Sequence, residues 1–184
     1  MSARQRLKEL LRERSLKRGQ FELSSGRKSD YYLDARLTTL HPEGAVATGR
    51  AILELLAQEK IQAEAIGGMA LGADPIVSAV VTLSQLEGKP VAGFLVRKRA
   101  KAHGGQKRLE GFEGPAGARV VIVDDVCTTG ASTLKAIAAA EQRGYQVVAV
   151  VSLVDREEGG SQRIRQRGYN YHTLFNAREL GEER

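Results

Sequence analysis

A single cysteine, Cys127, in 184 residues leaves no partner for an intrachain disulfide and no possibility of a cysteine metal cluster. Its neighbours Asp124 and Asp125 are acidic, which raises a thiol pKa, so Cys127 reads as a small packing side chain and not as a nucleophile. No apolar run is long enough to cross a bilayer, and the opening Met1-Ser2-Ala3-Arg4-Gln5-Arg6 is charged with no signal-peptide core behind it. The expectation is a cytoplasmic protein without a membrane partner. GxxxxGK[ST] and GxGxxG are both missing, which excludes a Walker A loop and a dinucleotide fingerprint. There is no internal repeat, linker or low-complexity segment. What remains, 184 residues at 42% hydrophobic content, suits one domain over 1–184 with a sizeable core. The balance of 28 Lys and Arg against 22 Asp and Glu, net +6, points to an anionic partner. Nucleic acid and a polyphosphate both qualify, and the location of the charge decides between them.

The chain is organised around Val120-Val121-Ile122-Val123-Asp124-Asp125-Val126-Cys127-Thr128-Thr129-Gly130-Ala131-Ser132. Four consecutive branched apolar residues predict a strand covered on both faces, the habit of parallel sheets in α/β proteins. The acidic pair then falls at its carboxyl end, where open α/β sheets bind ligands. Leu134 and Ile137 are spaced for a helix that Gly144 can close. Gly130 allows close backbone approach, unpaired N–H groups at the helix start favour an anion, and Thr128, Thr129 and Ser132 add hydroxyls. Carboxylates beside a phosphate cradle would repel the phosphate unless they meet a different part of the ligand. A sugar phosphate satisfies both demands, with its monoester in the cradle and its ribose hydroxyls, or a bound Mg²⁺, at Asp124 and Asp125. The plainer alternative is that the two aspartates end a strand and cap a helix.

This stretch resembles the 5-phosphoribosyl 1-diphosphate (PRPP) signature of type I phosphoribosyltransferases. A second motif lies upstream. Phe21-Glu22-Leu23-Ser24-Ser25-Gly26-Arg27-Lys28-Ser29-Asp30-Tyr31-Tyr32-Leu33-Asp34 reads as part of a hairpin over 21 to 36, preceded by an amphipathic helix over 3 to 18 with Leu7, Leu10, Leu11 and Leu16 on one stripe. Adjacent tyrosines in a strand face opposite ways, so one ring can pack inward while the other is offered to a flat ligand; ordinary core and rim packing of Tyr31 and Tyr32 is the plainer alternative. The pattern is similar to the N-terminal hood of orotate phosphoribosyltransferases. Further along, helices are expected from Pro42 and over Ile76 to Leu86, the latter capped by Asp74-Pro75. Between them a strand ends at Gly67-Gly68, and the small-residue loop Gly67 to Ala73 corresponds by resemblance to the family's pyrophosphate loop. Where many relatives carry a Tyr-Lys pair this chain has Leu71-Gly72, and Ser24 stands where many place a hood lysine.

After a strand at Pro90 to Val96 comes Arg97-Lys98-Arg99-Ala100-Lys101-Ala102-His103-Gly104-Gly105-Gln106-Lys107-Arg108, in which seven of twelve residues can carry positive charge. The glycines argue against a regular element, so about 97–115 is expected to be a mobile loop, a length usual for lids. A solvated basic loop or a nucleic-acid patch would look similar; its departure from the carboxyl end of a strand in the same sheet favours the lid. The loop resembles the catalytic loop of orotate phosphoribosyltransferases at Arg97, Lys98, Lys101 and His103, which implies that these residues meet pyrophosphate across a homodimer interface. Strand Gln146 to Val154 delivers Arg156 to the same edge; a guanidinium pairs with a carboxylate, and orotate carries one. A surface ion pair of Arg156 with Glu157 or Glu158 is the simpler alternative. A basic helix over Ser161 to Arg167, a last strand over Tyr171 to Phe175 and an exposed tail complete the chain.

The expectation is therefore an α/β domain with a mostly parallel sheet flanked by helices and a hood over about 1–40. The resemblance implies transfer of phosphoribosyl from PRPP to orotate, with Mg²⁺ held mainly through PRPP or pyrophosphate and no protein metal site. It further implies catalytic roles for Lys101, His103, Asp124 and Asp125, PRPP contacts from the lid cations and from Asp124 through Ser132, and orotate contacts from Thr128 and Arg156. Nucleic acid is not an expected partner. Two other readings stay open: a phosphoribosyltransferase for another base, and a PRPP-sensing regulator that binds nucleic acid through the basic surface, although residues 1 to 20 are too short for a winged helix-turn-helix.

Overall fold

Val120 and Ile122 enter one hydrophobic cluster, and Val121 and Val123 enter another. The strand that carries them, β6 (Arg119–Cys127), is central in a six-stranded sheet, as an uninterrupted apolar run requires. The structure, a computed structural model, describes residues 1–22, 28–98 and 108–181. Before β6 come α1 (Ala3–Leu10), the hairpin strands β1 (Leu16–Glu22) and β2 (Lys28–Leu33), then α2 (Arg36–Thr39), α3 (Pro42–Gln58), β3 (Ala65–Met69), α4 (Asp74–Leu86), β4 (Ala92–Val96) and β5 (Leu109–Gly111). After it come α5 (Ala131–Gln142), β7 (Gln146–Asp155), α6 (Gly160–Gln166), β8 (Tyr171–Asn176) and α7 (Ala177–Gly181). The sheet order is β5-β4-β3-β6-β7-β8, parallel except for β5 at the edge. Leucines of α1 and apolar residues of α3 and α4 cover one face; α5 and Ile164 of α6 cover the other. No helix among the described residues is long and apolar enough to cross a membrane.

Five elements differ from the sequence reading. The N-terminal helix stops early: Leu11–Ser15 forms a wider π turn, and Leu16 is already extended and paired with Leu33. Ser15 explains the stop, because its hydroxyl meets Thr38 Oγ1 at 2.6 Å and its carbonyl accepts the Asp34 N–H at 3.1 Å. Gly67 and Gly68 lie inside β3 and do not end it. A Cβ on Gly67 would fall 2.4 Å from the Phe94 ring, and one on Gly68 2.1 Å from the Val123 carbonyl oxygen, so their missing side chains permit close strand and side-chain packing. Asp74 does not cap α4: Ala73 is the N-cap, and Asp74 begins the helix itself. The tail at 177–181 is a short helix with Leu180 buried, tied down by Arg4 to Glu179 at 3.1 Å and by Arg18 Nη2 donating to Gly181 O at 2.7 Å. Within the expected lid, Leu109–Gly111 is strand β5, paired with β4.

Candidate active site

Alternation along β6 separates the two carboxylates. Asp124, only 5% exposed, accepts hydrogen bonds at Oδ2 from Ser132 Oγ (3.2 Å) and Thr133 Oγ1 (2.5 Å) on the first turn of α5. Burial pushes its carboxyl up to about 6; the Thr133 hydroxyl opposes the shift and the neighbouring Asp125 charge adds to it. Asp125 faces the loop after β3, where a Cβ on Gly72 would lie 2.5 Å from its Oδ1. That Oδ1 accepts the Val126 N–H at 2.9 Å. Burial raises the Asp125 pKa as well, opposed by that backbone bond and by the charge of Arg36.

The loop from Thr128 to Ser132 turns into α5 through Gly130, whose φ of +73° is left-handed and suits glycine. Intrahelical bonding begins with the Leu134 N–H to the Gly130 carbonyl (2.9 Å), so the amides of Ala131, Ser132 and Thr133 belong to the unpaired first turn. The loop is braced from behind: Gly160 N–H donates to Thr128 O at 2.9 Å, and Arg163 Nη1 to Thr129 O at 2.8 Å. Cys127 is buried beneath it, and burial, ahead of the acidic neighbours, pushes its thiol up to about 11, which fits a packing role.

Arg156 stands beside this loop because Cys127 and Asp155 are register partners in β6 and β7, and its N–H donates to Cys127 O at 2.9 Å. Its guanidinium pairs through Nε with Glu158 Oε1 at 3.0 Å and lies 4.7 Å from the centroid of the Tyr31 ring. The ion pair with Glu158 is thus present, but its arginine is buried, with 8% of the side chain exposed. The adjacent tyrosine takes the opposite direction: Tyr32 lines the cleft and tilts against Phe21 with centroids 5.7 Å apart.

The cleft itself is about 260 Å³. It is lined by Tyr32, Asp34 and Arg36 of the hood, by Met69 to Gly72 after β3, by Asp124, Asp125, Val126 and Ser132, and by Lys98. Arg97 is turned to the edge of the sheet, where Nη1 pairs with Glu110 Oε1 at 3.1 Å. Together with Ala70, Leu71 and Lys98 it lines an adjoining hollow of about 380 Å³. Lys101, His103 and Ser24 lie outside the described residues. The structure therefore gathers Asp124, Asp125, Lys98, the Thr128–Ser132 loop and Arg156 at one edge of the sheet, and in this chain turns Arg97 away from the acidic pair. Two participants escaped the sequence reading. Thr133 was legible only as a helix residue, although its place one turn along a helix that starts just after the acidic strand puts it against Asp124. Arg36 follows Asp34 at a spacing of two, a signal readable only once the hood is known to fold over the cleft.

The phosphoribosyl transferase domain family matches residues 45–172. The chain is 46% identical over 172 residues to the orotate phosphoribosyltransferase of Synechocystis sp., covering 94% of this chain and 85% of the relative. It is 42% identical over 183 residues to that of Aquifex aeolicus, covering 98% of each. The crystal structure of Mycobacterium tuberculosis H37Rv orotate phosphoribosyltransferase in complex with PRPP superposes with a TM-score of 0.81 at 36% identity, over 98% of this chain and 99% of that one.

Proposed function

The chain belongs to the phosphoribosyl transferase domain family and, within it, to the orotate phosphoribosyltransferases, and from that premise we propose how its own residues share the work. The fold is that of type I phosphoribosyltransferases. The reaction moves the 5-phosphoribosyl group from PRPP to orotate, giving orotidine 5′-monophosphate and pyrophosphate in pyrimidine synthesis. The bond from the anomeric carbon to the diphosphate oxygen breaks and a bond to a ring nitrogen of orotate forms. The sugar gains positive charge as it passes between them, and the leaving diphosphate gains negative charge. No side chain needs to act as a nucleophile; catalysis is electrostatic and positional.

In this reading the first-turn amides of α5 and the hydroxyls of Thr128, Thr129 and Ser132 hold the 5′-phosphate. Asp124 and Asp125 accept the ribose hydroxyls and face the developing sugar cation. Arg156, buried between Tyr31 and Glu158, offers its terminal N–H groups to the orotate carboxylate, and Thr128 lies beside the base. Lys98, with Arg97, Lys101 and His103, meets the diphosphate. The observation that carries the assignment is the convergence of an acidic pair, a helix-start anion cradle and a buried arginine at the carboxyl ends of two neighbouring strands.

The donor set fits a magnesium ion that brings most of its ligands with the substrate. Asp125 lines the cleft with its carboxylate, while Asp124 Oδ2 is occupied by two hydroxyls. When bound, the ion would offset diphosphate charge.

A homodimer that shares the lid cations is supported by an apolar face next to the site. Leu40 is 71% exposed and Leu71 67% exposed, and a groove of about 520 Å³ runs between α3 and α4 past Leu40, Val46 and Ala79.

The direct test follows loss of orotate absorbance on mixing chain, PRPP and Mg²⁺, omitting each in turn. Turnover is expected only with all components present. Equal turnover with uracil in place of orotate would overturn the role of Arg156, and persistence without Mg²⁺ would overturn the role of the ion.

A further inference from the structure

The cleft that Asp125 lines also carries a cation without a task in the proposed reaction, Arg36. Arg36 opens α2 and is held to Asp34 by a two-pronged pair: Nε to Oδ1 and Nη2 to Oδ2, both at 2.9 Å, while the Arg36 amide donates to Oδ1 at 3.1 Å. The clamp is local, and it fixes a side chain that remains 45% exposed. A guanidinium has five N–H donors in one plane. Asp34 takes two of them, and three remain, with no further partner for them among the described residues.

The surroundings say what those donors meet. Arg36 and Lys98 are the cations among the described residues that line this cleft. Met69 to Gly72, which line it as well, carry no charged side chain. The other anion of the substrate, its 5′-phosphate, is already assigned to the α5 cradle. Arg36 is also close enough to Asp125 to lower the pKa of that carboxyl and to have its own raised by it, with Asp34 the larger influence on Arg36. Arg36 thus shares one cleft with Asp125, the carboxylate assigned to the ribose, and acts on its charge.

Resting on the phosphoribosyl-transfer reading, we propose that Arg36, preset by Asp34, donates hydrogen bonds to the diphosphate of PRPP and stabilises it as it departs. The clamp makes the contact rigid: two prongs on Asp34 remove most of the rotamer freedom that a lone surface arginine would lose on binding. It also makes the pair a unit, because Asp34→Asn would leave the charge of Arg36 but loosen its orientation.

The test uses the full chain and inorganic pyrophosphate as probe, with PRPP kinetics alongside. In Arg36→Gln, pyrophosphate affinity and kcat/KM for PRPP should each fall roughly tenfold or more, the loss expected for a charge-assisted hydrogen bond, while the dissociation constant for orotate stays within about twofold. Arg36→Lys keeps the charge without the fork and should recover part of the loss; Asp34→Asn should fall between parent and Arg36→Gln. Pyrophosphate affinity unchanged in Arg36→Gln would overturn the proposal, as would equal losses for orotate and pyrophosphate in both Arg36 variants, the mark of a merely structural role. Absence of turnover in the parent chain would instead overturn the underlying reaction, so the two failures are separable.

Discussion

Asp124, to which we assign a place at the ribose, is a residue whose burial works against the fold. Its carboxyl titrates near 6 in the folded chain against an ordinary value of 3.8, chiefly because it is buried. The folded state therefore holds this proton to higher pH than the unfolded state does. Stability contributed by the group is fully present below about pH 4 and declines as pH rises through about 6. Asp124→Asn removes a buried charge, so it should stabilise the free protein at pH 8 by about 1–3 kcal/mol and give little gain at pH 4. Thermal unfolding of parent and variant at the two pH values measures this. The same variant should lose most of its turnover, since an amide presents one acceptor where the carboxylate presents two. A variant destabilised at pH 8 would mean that the hydroxyls of Ser132 and Thr133 outweigh the cost of burial.

At the scale of elements, β3 and the loop after it illustrate two reasons for glycine. The Cβ of an alanine at Gly68 would meet the backbone of β6 at Val123 O, which cannot move without breaking the sheet, so Gly68→Ala should cost about 2–3 kcal/mol of stability. At Gly72 the obstruction is the Asp125 carboxylate, the end of a side chain that can swing away. Gly72→Ala should leave stability within about 1 kcal/mol of the parent and lower kcat/KM for PRPP about a hundredfold by displacing Asp125. Denaturant unfolding beside steady-state kinetics separates the two effects; similar losses of stability in both variants would contradict the distinction. Both glycines are visible in the sequence as parts of a small-residue loop. Their different duties are not, because the atoms that obstruct them belong to Val123 and Asp125, 55 and 53 positions away in the chain.

For the molecule as a whole, the proposed homodimer makes the groove between α3 and α4 the place where assembly and activity would be coupled. Leu40→Glu combined with Val46→Glu should convert a dimer to monomers in analytical sedimentation and reduce turnover with it; a fully active monomer would reject the shared site. Mixing inactive Lys101→Ala with inactive Asp125→Asn under subunit exchange should restore about a quarter of parental activity if each site draws its lid and its acidic pair from different copies of a two-fold dimer. Much of this architecture was legible beforehand. Val120 to Val123 announces a strand buried on both faces, the leucines at 7, 10 and 11 announce a helix stripe, and Asp124 to Ser132 announces an acidic strand end followed by a glycine turn into a helix, because each pattern is local and set by the period of its own element. Other features depend on which distant segments meet: β5 emerging from a glycine-rich stretch, the early end of the first helix at Ser15, Arg97 pairing with Glu110, Thr133 bonding to Asp124 and Arg36 sharing a cleft with Asp125. Tertiary structure decided these, since the energy of a buried contact belongs to both partners and is written in neither segment alone.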